Sequence, residues 1–139
     1  MYKLYSLYYS KIAVFRALQI GDLLCAIPAV RALKSSFPES NITLIGLPWA
    51  EKFVKRFSNY FSSFMLFPGY PGLPEQSFDY QKFNNFIQEA NKEHFDLLLQ
   101  MQGNGSIVNP LMAMLGAGEV AGFKETSGFA PSELFIEYP

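Results

Sequence analysis

Residues 11–34 read KIAVFRALQIGDLLCAIPAVRALK, and this stretch decides the fold. Its first six residues, 11–16, are largely apolar and predict a buried strand. Residues 22–36 predict a helix, and Asp22 suits its N-cap because a carboxylate can accept a backbone N–H. Pro28 does not fit the interior of that helix, so we expect a kink there or a helix that begins late. The stretch therefore predicts a strand, a short loop and a helix.

The same alternation continues along the chain. Further apolar runs predict strands over 42–47, 63–67, 95–101, 120–123 and 134–136. Helical patterns predict a helix that Pro48 opens at its first position, and two more over 79–94 and 106–115. Such alternation implies an α/β fold, a Rossmann-like parallel sheet with helices on both faces. Ligands bind such sheets at the carboxyl ends of the strands, so the loops at 17–22 and 102–106 are the candidate site.

Length and composition bound the class of protein. The 139 residues suffice for one domain, and 50% of them are hydrophobic, which favours a packed core over disorder. A net charge of −1 argues against broad nucleic-acid binding. No apolar run reaches the roughly 18 residues that a membrane span needs. We interpret residues 1–10 as a leader, without the features of a signal peptide, and 11–139 as the domain.

The chain has a single cysteine and a single histidine. Cys25 alone excludes an internal disulfide and fits a reducing compartment, and we expect it to be buried among small apolar neighbours. His94 closes a predicted helix, where a cation is favoured by the helix dipole. One histidine also excludes a His-rich metal site, so we predict no metal ligands.

The loop at 17–22 has the sequence ALQIGD. Its single glycine excludes the three-glycine dinucleotide fingerprint, and no GK[ST] follows, so it is not a P-loop. The loop places the Asp22 carboxylate at a helix N-terminus, at the sheet edge where ligands bind. Gly21 allows a tight backbone turn or the close approach of a ligand. From the residues alone, Asp22 is either a plain helix cap or a catalytic base.

Three segments resemble glycosyltransferase family 9, the ADP-heptose:lipopolysaccharide heptosyltransferases. Residues 11–34 resemble the N-terminal signature of that family, with a basic residue at the strand end, then Gly-Asp, then Pro-Ala and Arg-Ala-Leu-Lys. Residues 95–103, FDLLLQMQG, resemble its second strand-and-loop motif, and residues 118–123, GEVAGF, resemble a third segment. The order and spacing of the three agree over residues 11–123.

The resemblance implies the N-terminal half of a GT-B fold, in which two Rossmann-like domains face each other across a cleft. The N-terminal domain would receive a glycan or lipid-linked acceptor. A C-terminal domain, which does not occur before Pro139, would hold a nucleotide-sugar donor. The implied reaction inverts the anomeric centre and uses no metal or other cofactor. The implied protein acts in lipopolysaccharide biosynthesis, is cytoplasmic and peripheral at the inner membrane, and is inactive without its donor domain.

Carried over by motif, Asp22 is the general base on the acceptor hydroxyl. The implied substrate-binding residues lie in the two loops and are Arg16, Gln19, Gly21, Gln102 and Gly103. Without the resemblance, Arg16 is equally a surface ion pair, and Gln102 a turn residue with an amide hydrogen bond. The chain departs from the family at Gln100, where members often have Asp, and at 17–19, where many carry hydroxyl residues.

The residues leave a second function open. The chain as given also fits a stand-alone Rossmann- or flavodoxin-like module that binds a nucleotide, or a non-catalytic interaction domain. Nucleotide binding by these 139 residues would favour that alternative, because the family places the nucleotide-sugar on the other domain.

Overall fold

The computed structural model describes residues 8–139, and within them six parallel strands form one sheet. The strands are β1 (Lys11–Phe15), β2 (Asn41–Gly46), β3 (Ser63–Leu66), β4 (Leu97–Gln100), β5 (Glu119–Lys124) and β6 (Phe135–Glu137). The helices are α1 (Ile20–Ser36), α2 (Ala50–Arg56), α3 (Tyr80–Glu93) and α4 (Val108–Met112). The strand order is β3-β2-β1-β4-β5-β6, which confirms the predicted Rossmann-like α/β class.

β1 lies at the centre of the sheet because it is apolar on both faces. It pairs with β2 on one side, from Lys11 opposite Asn41, and with β4 on the other, from Ile12 opposite Leu97. Its residues 12–15 are all fully buried. A strand that is apolar on both faces stabilises the fold most when helices cover both faces and remove its side chains from water.

The two faces of β1 build two separate cores. Ala13 and Phe15 pack with residues of α3 and α4, among them Phe86 and Leu111. The other core contains Ile12 and Val14 and the β2 side chains on the same face. These side chains pack with α1 and α2. The prediction of helices on both faces is confirmed.

The bounds of α1 and α2 differ from the sequence prediction. α1 begins at Ile20 with Gln19 as its N-cap residue, so the predicted N-cap at Asp22 is wrong. Pro28 lies inside α1, which does not begin late. Pro48 does not open α2 either, because that helix begins at Ala50.

The ends of the other helices follow their capping chemistry. Asp79 precedes α3, and its carboxylate accepts the Lys82 N–H at 2.9 Å. His94 caps the C-terminus of α3 with a left-handed φ of 50°. α4 is only five residues long, shorter than the predicted helix over 106–115.

Cys25 corrects another expectation. It lies on α1 but is exposed, whereas Leu23, Ala26 and Val30 are the residues of that helix that are buried. Residues 22–30 are apolar around much of the helix, so periodicity gives little information about which side faces the sheet. Within residues 8–139, no helix combines the length and the apolar character that crossing a membrane requires.

The N-terminal edge of the sheet is fastened by Asp96, immediately before β4. One of its carboxylate oxygens accepts the Lys11 N–H at 2.8 Å, the Ser10 N–H at 2.9 Å and the Ser10 hydroxyl at 2.8 Å. These bonds, first the one from the Lys11 backbone, hold the pKa of Asp96 below its ordinary value. Tyr9, which belongs to the predicted leader at 1–10, is buried. Residues 1–7 of the predicted leader lie outside the described residues.

We predict that Gly122→Ala destabilises the fold by about 1–3 kcal/mol, because overpacking a core displaces its neighbours. A Cβ on Gly122 would lie 2.8 Å from Gln100 Cβ and 2.9 Å from the Gln100 carbonyl oxygen. Urea unfolding measures the loss. Gly21→Ala is the matched control: its Cβ would meet nothing within 4 Å, and the helix gains up to about 1 kcal/mol. Equal stability of the two variants would contradict the packing at Gly122.

We also predict that Asp96→Asn lowers the free energy of unfolding by an amount that depends on pH. The folded pKa of Asp96 lies below the unfolded value, so its carboxylate stabilises the fold above about pH 4, and that contribution is lost as the pH falls through the folded pKa. The urea midpoint of the variant should be below wild type at pH 7, and the gap should narrow toward pH 3. Glu39→Gln, at an exposed position, should show no such gap. If the urea midpoints of wild type and Asp96→Asn differed equally at pH 7 and pH 3, the stabilisation could not come from the ionised Asp96 carboxylate.

Candidate functional site

The candidate site lies where the strand order reverses, between β1 and β4. From β1 the chain proceeds outward through β2 to β3, and from β4 it proceeds outward through β5 to β6. At such a switch point the loops after the two central strands separate and leave a crevice at the carboxyl edge. Here those loops are 16–19 and 101–107. They overlap the predicted loops at 17–22 and 102–106, but residues 20–22 belong to α1.

Arg16, directly after β1, joins the two loops. Its Nε donates to the Asp22 carbonyl oxygen at 2.7 Å, and Nη1 donates to the Met101 carbonyl oxygen. Nη2 lies 4.0 Å from Asp22 Oδ1, and the Arg16 side chain is 19% exposed. The guanidinium is therefore more than a surface ion pair, because it connects α1 to the end of β4.

Asp22 lies in the first turn of α1, three residues after the N-cap Gln19. Its Oδ2 accepts the Gln19 N–H at 3.3 Å, so the carboxylate supports the helix start from inside the first turn. The side chain is 47% exposed. The carboxylate therefore supports the helix start and remains open to solvent.

Gln19 and Gly21 are both exposed at this edge. Gln19 has an extended backbone that turns the chain into α1. Gly21 is a helical residue without a positive φ, so the turn itself does not require glycine. A Cβ at Gly21 would meet nothing within 4 Å, so the packing does not require glycine there either.

Gln102 points into the protein. Its side chain is nearly buried, and Oε1 accepts the Ala17 N–H at 2.8 Å, which connects the loop after β4 to the loop after β1. Gly103 has a left-handed φ of 60°, with nothing within 4 Å of the position of a Cβ. The helix predicted from residue 106 begins only at Val108, so Gln102 and Gly103 do not lie at a helix start.

A buried amide network holds Gln102 in place, and the sequence did not predict it. Gln100 Oε1 accepts the Gln102 N–H, and Gln100 Nε2 donates to Asn109 Oδ1 at 3.0 Å. Asn109 Nδ2 donates to the carbonyl oxygens of Phe123 at 3.0 Å and Phe129 at 3.1 Å. A carboxylate at position 100 could not donate to Asn109 Oδ1 or to the Phe123 carbonyl oxygen, as Gln100 Nε2 does, so the glutamine suits this site. The sequence feature that could have indicated this network is Asn109, a polar residue next to Pro110 in the predicted helix.

A cleft of about 350 Å³ opens beside Arg16. Its lining comes from the loops after β1 and β4, from β4 and β5 themselves and from the residue after β6: Arg16, Leu18, Gln100, Met101, Gly103, Phe123 and Tyr138. A larger cavity of about 510 Å³ lies between the end of β3 and α3 and contains none of the predicted site residues. Within residues 8–139, no group of three His, Cys, Asp or Glu side chains is arranged to hold a metal ion.

The fold is similar to that of a known enzyme class. The crystal structure of the glycosyl transferase family 9 protein from Veillonella parvula DSM 2008 superposes with a TM-score of 0.66 over 86% of this chain, at 18% sequence identity. The chain spans about a third (33%) of that protein's length. No protein-family model and no curated protein matches the sequence. At this identity the likeness shows a shared fold.

We predict that Gln102→Leu destabilises the chain by about 1–3 kcal/mol, because it leaves the Ala17 N–H buried without an acceptor. Ala17 is 1% exposed, so water cannot replace the lost oxygen. Gln102→Glu replaces the amide oxygen with a carboxylate oxygen that can still accept the Ala17 N–H, so it is the control for the exchange rate, although the burial of its charge costs stability separately. Urea unfolding gives the energies, and amide hydrogen exchange at Ala17 should accelerate in Gln102→Leu. Unchanged exchange at Ala17 would show that the bond does not connect the loops.

Proposed function

We propose that the chain is the acceptor-binding N-terminal half of an inverting, metal-independent glycosyltransferase. It would transfer a heptose-like sugar from a nucleotide-sugar to a glycan or lipopolysaccharide acceptor, in the cytoplasm and at the inner membrane surface. It would act only when joined to a donor-binding domain. The observation that carries the proposal is the half-exposed Asp22 carboxylate at the switch point, held beside Arg16.

The proposed step is a single displacement. One Asp22 oxygen removes the proton from an acceptor hydroxyl as the hydroxyl oxygen forms a bond to the anomeric carbon. The bond between that carbon and the nucleotide phosphate breaks, and its electron pair leaves with the phosphate. Attack from the opposite side inverts the anomeric centre. The contacts of Asp22 with the Gln19 N–H and Arg16 fix the direction of its oxygens, which such proton transfer requires.

The other predicted site residues divide into two groups. Gln19 and Gly21 are exposed next to Asp22, so we propose that they contact the acceptor directly. Gly103 is open at the cleft and is proposed to offer backbone groups. Gln102 and Arg16 already bond the protein itself, so we propose that both position the loops. Arg16 also retains N–H groups that can reach a substrate, because a guanidinium has five.

The central test changes Asp22 to Asn in this chain joined, in one polypeptide, to a donor-binding domain of the GT-B fold. Asparagine can accept the Gln19 N–H but cannot act as a base at neutral pH. We expect kcat to fall by about 10²–10⁴-fold, the usual contribution of general base catalysis. Release of nucleoside diphosphate from the nucleotide-sugar in the presence of acceptor measures the rate.

The matched control is Asp79→Asn, the same substitution at the N-terminus of α3. Asn is as good an N-cap as Asp, so the fold and the rate should both stay close to wild type. Full activity in Asp22→Asn, with unchanged unfolding, would eliminate Asp22 as the base. Micromolar binding of a nucleotide or flavin by the 139 residues alone would instead favour the stand-alone module.

A further inference from the structure

β3 is an edge strand of the sheet. It pairs with β2 on one side, from Thr43 opposite Ser63 to Gly46 opposite Leu66, and among residues 8–139 no strand pairs with its other side. The backbone N–H and C=O groups that point away from β2 are therefore not paired within the sheet, and such an edge readily accepts another strand. The edge is two strands away from β1, so it is separate from the site between β1 and β4.

The sequence of β3 does little to protect this edge. Natural edge strands commonly carry a charged residue or a proline, which discourages pairing with another chain. β3 has the sequence SFML, and residues 57–74 contain no charged residue. The strand at the opposite edge of the sheet, β6, contains Glu137. Leu66 is 49% exposed, and its side chain is apolar surface that a pairing strand would remove from water.

A groove follows β3 on the side of α3. One cavity of about 330 Å³ is lined by Phe64, Met65 and Leu66 of β3 and by Glu89, Lys92 and Glu93 of α3. It shares Leu66 and Glu89 with the cavity of about 510 Å³ between the end of β3 and α3, so the two cavities form one groove. α3 therefore leaves the outer part of β3 uncovered, and another chain can approach the strand.

Two charged side chains of this groove have no ion-pair partner among residues 8–139. Glu89 and Lys92 are both exposed on α3, and they are not paired with each other, although a separation of three residues would allow it. Glu93 is already paired, because its Oε2 lies 2.7 Å from Lys11 Nζ. At the level of Met65 the groove thus presents one unpaired negative charge and one unpaired positive charge.

The strand and the charges are self-complementary about a two-fold axis through Met65. When two copies of β3 pair antiparallel about this axis, Phe64 lies opposite Leu66 of the second copy, on the same face of the sheet. α3 runs opposite to β3, because it returns the chain to the parallel strand β4. The same axis therefore sets Glu89 opposite Lys92 of the second copy, and Lys92 opposite its Glu89.

We propose that the open edge of β3 binds a second copy of this chain, antiparallel and centred on Met65, so that the two sheets become continuous. The contact is isologous, with the same residues contributed by both copies. It does not depend on the proposed function. Because β3 has only four residues, the contact is small and the dimer forms weakly.

Sedimentation velocity of the 139-residue chain, over a range of about 5–500 µM, measures the association. We expect a monomer–dimer equilibrium that shifts with concentration. Leu66→Lys places a charge on the exposed edge and should raise the dissociation constant at least about tenfold, with circular dichroism to verify folding. A monomer at every concentration would overturn the proposal and leave the edge to another segment or another protein. A wild-type dissociation constant in a folded Leu66→Lys would overturn it as well.

Charge reversal tests the arrangement at two exposed positions, where a substitution does not disturb the core. Glu89→Lys and Lys92→Glu each set like charges opposite each other, and each should raise the dissociation constant about three- to thirtyfold. The double variant restores opposite charges and should return to within about threefold of wild type. Glu51→Lys, the same charge change on an exposed residue of α2, is the matched control and should not change the association. A double variant as weak as the single variants would overturn the pairing.

Disulfide formation tests the register. Directly opposite residues of an antiparallel pair have Cα atoms about 4.5–5.5 Å apart, within the range that a disulfide spans. In a Cys25→Ser background, Met65→Cys should link two copies under mild oxidation. Ser63→Cys should not, because residue 63 would lie opposite Phe67 of the second copy. Linking that is equal at the two positions, or stronger at residue 63, would overturn the antiparallel register about Met65.

Discussion

The arrangement of this domain depends on the burial of β1 from both sides. Ile12, Ala13, Val14 and Phe15 are completely buried, alternately in two cores, and the strand pairs with β2 and β4 at once. Burying four such side chains contributes several kcal/mol, which exceeds what any surface contact of the domain can add. Because β1 is fixed on both faces and both edges, the residues that follow it leave the sheet at one defined point.

That point becomes a site because the loops after β1 and β4 are bonded to each other. Gln102 accepts the Ala17 N–H, and Arg16 donates to Met101 and Asp22. The buried amides of Gln100 and Asn109 then fix the second loop against β5. Each of these polar groups is buried or partly buried and has a partner, so the network is rigid and favours one arrangement. Two of these contacts, Ala17 with Gln102 and Arg16 with Met101, join residues that are 85 positions apart in the chain.

The sequence predicted the parts of this structure that depend on local patterns. Apolar runs identified the six strands, and the alternation identified the parallel sheet. The start of α1 was wrong by two residues because Asp22, a favoured capping residue, supports the helix from its first turn while Gln19 occupies the cap. The face of Cys25 was wrong because its surroundings are apolar on several sides. The bond from Gln102 to Ala17 spans 85 residues, and no local pattern specifies it.

The two roles considered for Asp22, helix cap and catalytic base, do not exclude each other once the geometry is known. The Asp22 carboxylate accepts the Gln19 N–H at the start of α1 and keeps 47% of its side-chain surface exposed at the crevice, so one side chain can serve both roles. Arg16 shows the complementary pattern, since most of its surface is covered and two of its donors bond the backbone. The arginine is therefore best placed to hold the loops, and the aspartate to meet a ligand. Under the proposed function, this division would assign the chemistry to Asp22 and its position to Arg16, which a sequence motif that names both residues cannot separate.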